Sequence, residues 1–264
     1  MKLIKAVFFA VLLLVSCSKE ETLLPKNDAP ENNEPETSTV RDADSISLQV
    51  TIDNTIIQIP DESSPSLSNS LGHIFAGRTR QDSDGAIRSI RRALLQFDLS
   101  TTSLLETNSV IDSVILCLYF DRTSGASSSI NLHQVLSKWT EGKSFFLGGQ
   151  GAPSDTSDVS WYYSSYYNTK WNKPGGDYVL EPSATTEVGT DKEYGFKYWT
   201  SKKMTQNVRY WLNHPNENYG WMLIGDEEKA GGGTTKRFYS KDYFGNDSTN
   251  IPTLKIYFSI EKEE

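Results

Sequence analysis

From Ser45 onward the chain alternates. Apolar and polar positions exchange residue by residue in "SISLQVTID" and "NTIIQI". The runs "SIRRALLQFDL", "SVILCLYFD", "INLHQVLSKW", "GWMLIGD", "TKRFYSKD" and "PTLKIYFSIE" follow, separated by Gly-, Ser- and Asp-rich turns. A period of two belongs to strands, whose successive side chains point to opposite faces. Many short strands with such punctuation predict an all-β antiparallel sandwich. In "SIRRALLQFDLS" the face with Arg91, Ala93, Leu95, Phe97 and Leu99 reads as core, with an arginine at its head. Arg92, Leu94, Gln96 and Asp98 form the other face. Arg91 is expected at the end of the sandwich, paired with a carboxylate, Glu141 of "WTEG" being the candidate. "SVILCLYF" is apolar on both faces, which predicts a central strand covered on both sides.

One segment changes period. In "TSKKMTQNVRYWLNHP", Met204, Val208, Trp211 and Leu212 fall at i, i+4, i+7 and i+8, one face of a short amphipathic helix. Thr200 or Ser201 can cap its start and Pro215 stops it. A single helix beside strands predicts a lid over an open end or edge of the sandwich. Residues 143 to 198 have no clear period. They form an aromatic, turn-rich insertion, and a segment of that kind is functional or packs as a compact loop.

The first 44 residues belong to another class. "MKLIKAVFFAVLLLVSC" places Lys2 and Lys5 before an apolar run too short to span a bilayer, as in a signal peptide. "LVSC" resembles a bacterial lipobox. By that resemblance residues 1–16 are removed and Cys17 is acylated, giving a lipid anchor in a membrane. "CSKEE" resembles the surface-export signal of lipoproteins in the Bacteroidetes phylum, which implies an outer-membrane, surface-exposed location. Residues 17–44 then form a tether too poor in apolar residues to offset ordering entropy, holding the domain ~30 Å from the lipid. The domain occupies 45–262. Its fold stands without disulfides, because only Cys117 remains and reads as a small buried apolar residue.

The formal net charge is −8. The signal peptide contributes +2 and the tether −5, which leaves −5 for the domain and argues against a nucleic-acid partner. No G-x-S-x-G, H-E-x-x-H or P-loop occurs. The three histidines, His73, His133 and His214, lack metal-ligand spacing. No cofactor is expected, and no metal. "DSDG" at 82–85 is a turn before it is a calcium loop. His73, Arg78 and Tyr239 are the one set from which a lyase could be built. Binding chemistry is better supplied. Trp161, Tyr162, Tyr166 and Trp171 cluster in the insertion, where Trp161 and Trp171 read either as stacking platforms or as core under the loop. Lys236, Arg237 and Tyr239 share a late strand, and Arg237 and Tyr239 share a face. Arginine suits uronate or sulfate groups. Lys236 and Lys255 read as solvated.

Six segments carry a family resemblance: "RRALLQFDLS", "VIDSVILCLYF", "LHQVLSKWTEG", "DVSW…W…PGGDY", "VRYWLNHPNENYGWMLIG" and "KRFYSKD", in this order. Together they resemble the DNRLRE-domain family of secreted bacterial and archaeal proteins over about residues 48 to 260. That family is similar to disaggregatase-related domains and to a carbohydrate-binding module family that includes alginate binders. The resemblance implies a jelly-roll-like β-sandwich and a non-catalytic protein that binds polysaccharide, anionic glycans included. The ligand contacts expected are Arg92, Gln96, Trp161, Trp171, Arg237 and Tyr239, with Arg92 and Gln96 structural instead if the helix covers their face. The alternatives are an adhesion protein of the envelope and a polysaccharide lyase or hydrolase.

Overall fold

The structure, a computed structural model, describes residues 41–58, 67–69, 72–79, 90–102, 109–144, 151–228, 233–243 and 248–261. The signal peptide, Cys17, the tether up to residue 40 and the 82–85 turn lie outside the described residues. Alternation becomes strand at every run named above: β1 (Arg41–Gln49), β2 (Ile52–Ile57), β3 (Leu67–Asn69), β4 (His73–Arg78), β5 (Ile90–Gln96), β6 (Ser109–Thr123) and β7 (Ser128–Gln134). After these come β8 (Ala152–Pro153), β9 (Tyr163–Ser165), β10 (Thr169–Lys170), β11 (Ala184–Val188) and β12 (Gly195–Thr200). The helix α1 (Lys202–Asn213) precedes β13 (Trp221–Ile224), β14 (Lys236–Tyr239) and β15 (Thr253–Glu261). β1 starts at Arg41, so residues 41–44 already pair with β15, ahead of the boundary expected at Ser45.

All strands but the β9–β10 hairpin join one antiparallel sheet, in the order β1-β15-β6-β14-β4-β5-β13-β7-β11. β12 lines the edge of β6, and β2 lies along β5 with β3 and β8 beyond it. The sheet turns a corner within β4. His73–Ala76 pair with β14, whereas Gly77 and Arg78 pair with β5. Gly77 has φ +112°, and a Cβ there would meet the Thr234 carbonyl oxygen at 3.0 Å, so only glycine fits the bend. The two halves of the sheet face each other, which makes the fold an all-β antiparallel sandwich with one short helix.

Between the halves lies the main core. β6, β14 and β15 contribute Val114, Leu116, Leu118, Phe120, Phe238, Leu254 and Ile256; β5, β7 and β13 contribute Ala93, Leu95, Ile130, Leu132, Trp221 and Leu223. The helix closes one end as the expected lid. Of its two possible caps Ser201 acts, its hydroxyl accepting from the Met204 amide at 3.0 Å. Met204, Val208 and Trp211 are buried in the same core, with Leu212 partly buried against it. The Trp211 and Trp221 rings meet edge-on at 4.5 Å.

The outer face of the second half is covered as well. Ile56, Leu94, Met222 and Ile224 form a second core with Val135, Trp139, Val159, Trp161 and Trp171. The first part of the insertion is therefore a packed cover organised by two carboxylates, whereas its last part, expected to lack a period, is regular sheet: β11 pairs with β7 and β12 with β6, and Ala184 and Val188 enter the main core. Asp158 accepts from the amides of Lys143 (2.6 Å), Ser144 (3.2 Å) and Asp155 (2.6 Å). Asp177 accepts from the Ser137 hydroxyl (2.8 Å), the Asn172 side-chain amide (2.9 Å) and the Lys173 amide (3.2 Å). Aspartates hold loop amides in this way where no ladder can.

Two expectations change with this layout. β6 is central, paired by β15, β12 and β14, but the insertion does not double-cover it; β5 and β13 are the strands packed on both sides. Arg91 does sit at the corner of the sandwich, yet Glu141 is not its partner. The Arg91 guanidinium lies over the Phe75 ring at 5.2 Å, while Glu141 takes the Asp53 amide at 3.0 Å and the Lys241 ammonium at 3.1 Å. Sequence distance hid Lys241, which the fold brings beside the insertion.

Candidate functional site

The outer face of the first half carries what the cover hides elsewhere. β12, β6, β14 and β4 run side by side there, and alternation places one aromatic from each along a line across the strands. Phe196 is opposite Tyr119 in the β12–β6 pair, and Tyr239 is opposite His73 in the β14–β4 pair. Phe196 and Tyr119 meet at 5.3 Å, Tyr119 stacks on Tyr239 at 4.8 Å, and Tyr239 meets His73 at 5.6 Å. Tyr243 stacks on Tyr239 at 3.5 Å, and Tyr198 lies 6.4 Å from Phe196. Four strands at about 4.8 Å spacing make this row ~14 Å long. Tyr239 lies between two rings, so it offers an edge rather than a face. The open ring surfaces belong to Phe196 and Tyr198, which are 39% and 54% exposed.

A charged row runs parallel to the aromatic one. A bulge makes it: Arg237 is opposite Arg122 while Phe238 is opposite Phe120, which leaves Asp121 as the extra residue of β6. Bulges re-aim side chains, and here Asp121 meets Arg237 end-on. Arg237 donates through Nε at 2.9 Å and Nη2 at 2.5 Å, and His73 Nε2 stands 3.5 Å from the same carboxylate. Burial alone would raise the Asp121 carboxyl, but the hydrogen bonds and charges of His73 and Arg237 outweigh it and hold the group below the ordinary range.

Beside this pair a pocket of about 470 Å³ opens, lined by Phe75, Thr79, Arg91, Arg122, Thr123, Ser124, Thr235 and Arg237. Three guanidiniums thus border one cavity. Only Arg237 among them has a carboxylate partner among the described residues. Burial lowers Arg91 to about 10, so it keeps its charge at neutral pH. Among the described residues the Nε of Arg91 and the Thr235 hydroxyl, both enclosed, find no hydrogen-bond partner. Guanidiniums around one cavity suit a carboxylate or sulfate group.

The residues expected as ligand contacts divide between the two outer faces. Arg237 and Tyr239 stand together on the open face. Arg92, Gln96, Trp161 and Trp171 lie in or beside the covered second core, where the alternative reading placed them as structural groups. Arg92 is fully engaged: Nε and Nη2 donate to Glu227 at 2.7 and 2.8 Å, Nη1 donates to the Gly175 carbonyl at 2.7 Å, and the guanidinium stacks 4.8 Å from Trp161. Burial opposes its charge, but Glu227 more than offsets this and raises it. Gln96 donates to the Asn218 carbonyl at 2.7 Å, and Trp171 donates to that of Ser160 at 2.9 Å. Trp161 and Trp171 are only 6% and 5% exposed. A smaller pocket of about 380 Å³ borders Arg92, with Leu136, Asn172, Tyr178 and Leu180 in its wall.

Lys236, read as solvated, points inward and is completely buried, its ammonium donating to the carbonyls of Ala126 (2.6 Å) and Gly189 (2.7 Å). The lyase set does not assemble. His73 and Tyr239 touch, but Arg78 lies five residues along β4, ~17 Å away by strand rise. Burial and the Tyr243 hydroxyl also push the Tyr239 phenol far above its ordinary range, so it keeps its proton. Tyr119, Phe196, Tyr198, Tyr243, Arg91 and Arg122 complete the site and were not expected in it. The alternation of "GFKYW" signals Phe196 and Tyr198; nothing local signals the rest. No protein-family model matches the chain, and no curated protein does.

Proposed function

We propose that this chain is a non-catalytic surface lipoprotein of the DNRLRE type that binds an anionic polysaccharide on the open face of its sandwich, anchored through Cys17. The carrying observation is the aromatic row Phe196–Tyr119–Tyr239–His73 lying beside a pocket edged by Arg91, Arg122 and Arg237. Pyranose rings stack their C–H faces on exposed rings such as Phe196 and Tyr198, tyrosine hydroxyls serve sugar hydroxyls, and guanidiniums take a uronate carboxylate or a sulfate. The resemblance of six ordered segments to a carbohydrate-binding family supports the same reading.

The test is affinity electrophoresis against alginate, pectin, sulfated and neutral glycans. An acidic glycan should retard the protein, and retardation should weaken toward physiological salt, where the screening length is about 8 Å. Arg122→Ala and Arg237→Ala should each weaken binding roughly 10- to 100-fold, the worth of one charge-assisted hydrogen bond. Absence of retardation by every acidic glycan would refute the anionic reading. Retardation by a neutral glycan alone, unchanged in Arg237→Ala, would move the site to the pocket beside Arg92.

A further inference from the structure

We propose that Asp53, Glu141 and Asp242 form a calcium site that clamps the segment after β14 onto β2 and onto the start of the insertion. These carboxylates come from three separate parts of the fold, and each offers an oxygen within 4.8 Å of the other two. Oxygens sharing one calcium at 2.3–2.6 Å lie at most about 5 Å apart, so the spacing is that of a common ion. Proximity of acids is not the whole observation. Asp53 is 0% exposed, and among the described residues its Oδ1 accepts no hydrogen bond. A buried carboxylate oxygen without a donor is costly unless something else meets it.

The surroundings define what that is. Asp53 Oδ2 accepts from the Lys241 amide at 2.7 Å, and the Asp53 amide donates to Glu141 Oε1 at 3.0 Å, so the backbone already holds these groups face to face. Lys241 is the cation of the cluster among the described residues, at 3.1 Å from Glu141 Oε2 and 3.5 Å from Asp242 Oδ2. One ammonium against three carboxylates leaves a formal charge of −2, which a divalent ion bound beside the lysine would cancel. Three carboxylates with no imidazole or thiolate select a hard cation, and their irregular arrangement suits calcium over the strict octahedron of magnesium. Tyr243 follows Asp242 directly and stacks on Tyr239, so the clamp would also fix an edge of the aromatic face.

The experiment uses the purified chain after dialysis against EDTA, melted in CaCl₂, in MgCl₂ and in NaCl of matched ionic strength. Calcium at a hundredfold excess over its dissociation constant should raise the midpoint by about 5–10 °C, by mass action on a domain of this size. Equilibrium dialysis should find one calcium per chain. Asp242→Asn and Glu141→Gln, at half-buried positions, should fold and lose both signals; Asp53→Asn tests folding together with binding. A midpoint in CaCl₂ no higher than in NaCl, or no bound calcium, overturns the site. Calcium uptake unchanged in Asp242→Asn and Glu141→Gln overturns it too, and equal shifts in MgCl₂ and CaCl₂ overturn the choice of ion.

Discussion

Replacing Arg92 by methionine separates a structural arginine from a ligand-binding one. Methionine keeps an unbranched apolar stem beneath Trp161 and Tyr178 but removes every donor. The loss is the bidentate bond to Glu227, the bond to the Gly175 carbonyl and the stacking on Trp161. Breaking a buried pair from one side costs about 3–5 kcal/mol, because the remaining charge stays buried. The Arg92 and Glu227 side chains are 11% and 16% exposed, so solvent reaches part of Glu227 and the expected loss is about 2–4 kcal/mol. That is a large share of the ~5–15 kcal/mol total of a natural domain. Urea unfolding at neutral pH measures it. Glu227→Gln and the double variant complete a cycle whose coupling should be about 1–3 kcal/mol. Glycan retardation should be unchanged in whatever fraction of Arg92→Met is folded. A loss below about 0.5 kcal/mol together with abolished glycan binding would refute the argument and make Arg92 a ligand contact.

Two further outcomes follow from the same geometry, and a third from the proposed lipid anchor. Trp211→Ala should cost about 3–5 kcal/mol in urea unfolding, since the ring is buried against Trp221; a loss below 0.5 kcal/mol would remove the lid from the core. Asp121 has a depressed folded-state pKa, so its pairing with Arg237 and His73 adds stability above the unfolded carboxyl value of about 4, and this is lost as pH falls through the folded value. Asp121→Asn should therefore destabilise at pH 7 and differ less from the parent near pH 3, and a gap that does not shrink would contradict the assignment. Cys17→Ser should release the protein from membranes, and a variant that still fractionates with membrane as the parent does would disprove the anchor.

Periodicity carried the fold because the long strands such as β5, β6 and β7 each bury a face, and burial imposes the alternation that register requires. It located β5, β7, β13 and the capped helix, and it put Arg237 and Tyr239 on one face. It could not tell which outer face is covered, because covered and open faces of a sheet can both be apolar. β5 and β6 show the ambiguity. Leu94 faces the insertion and Tyr119 faces outward, yet each interrupts its strand in the same way. Trp161 and Trp171 read either as platforms or as core, and the packing of the insertion decides for core. Lys236 was misread for a related reason. Alternation with Phe238 aims it inward, but a lysine's usual preference for water argued otherwise, and the carbonyls of Ala126 and Gly189 that satisfy it lie far away in sequence.

The arrangement of the site depends on features that no period of two can encode. Asp121 reaches Arg237 only because a bulge adds a residue to β6, and Arg91 joins the pocket only because Gly77 turns β4 from one half of the sheet to the other. These irregularities are costly in a regular sheet, where a bulge leaves a residue unpaired and a glycine forfeits side-chain packing. Here both fall beside the same cavity and bring guanidiniums from three strands to its rim. Three like charges around one space repel each other, and Asp121 neutralises only Arg237. Among the described residues the other two guanidiniums have no carboxylate partner, and their charge is then an electrostatic cost in the free protein. An anion in the pocket would relieve it, and that is the physical reason for seeking an acidic glycan there before a neutral one.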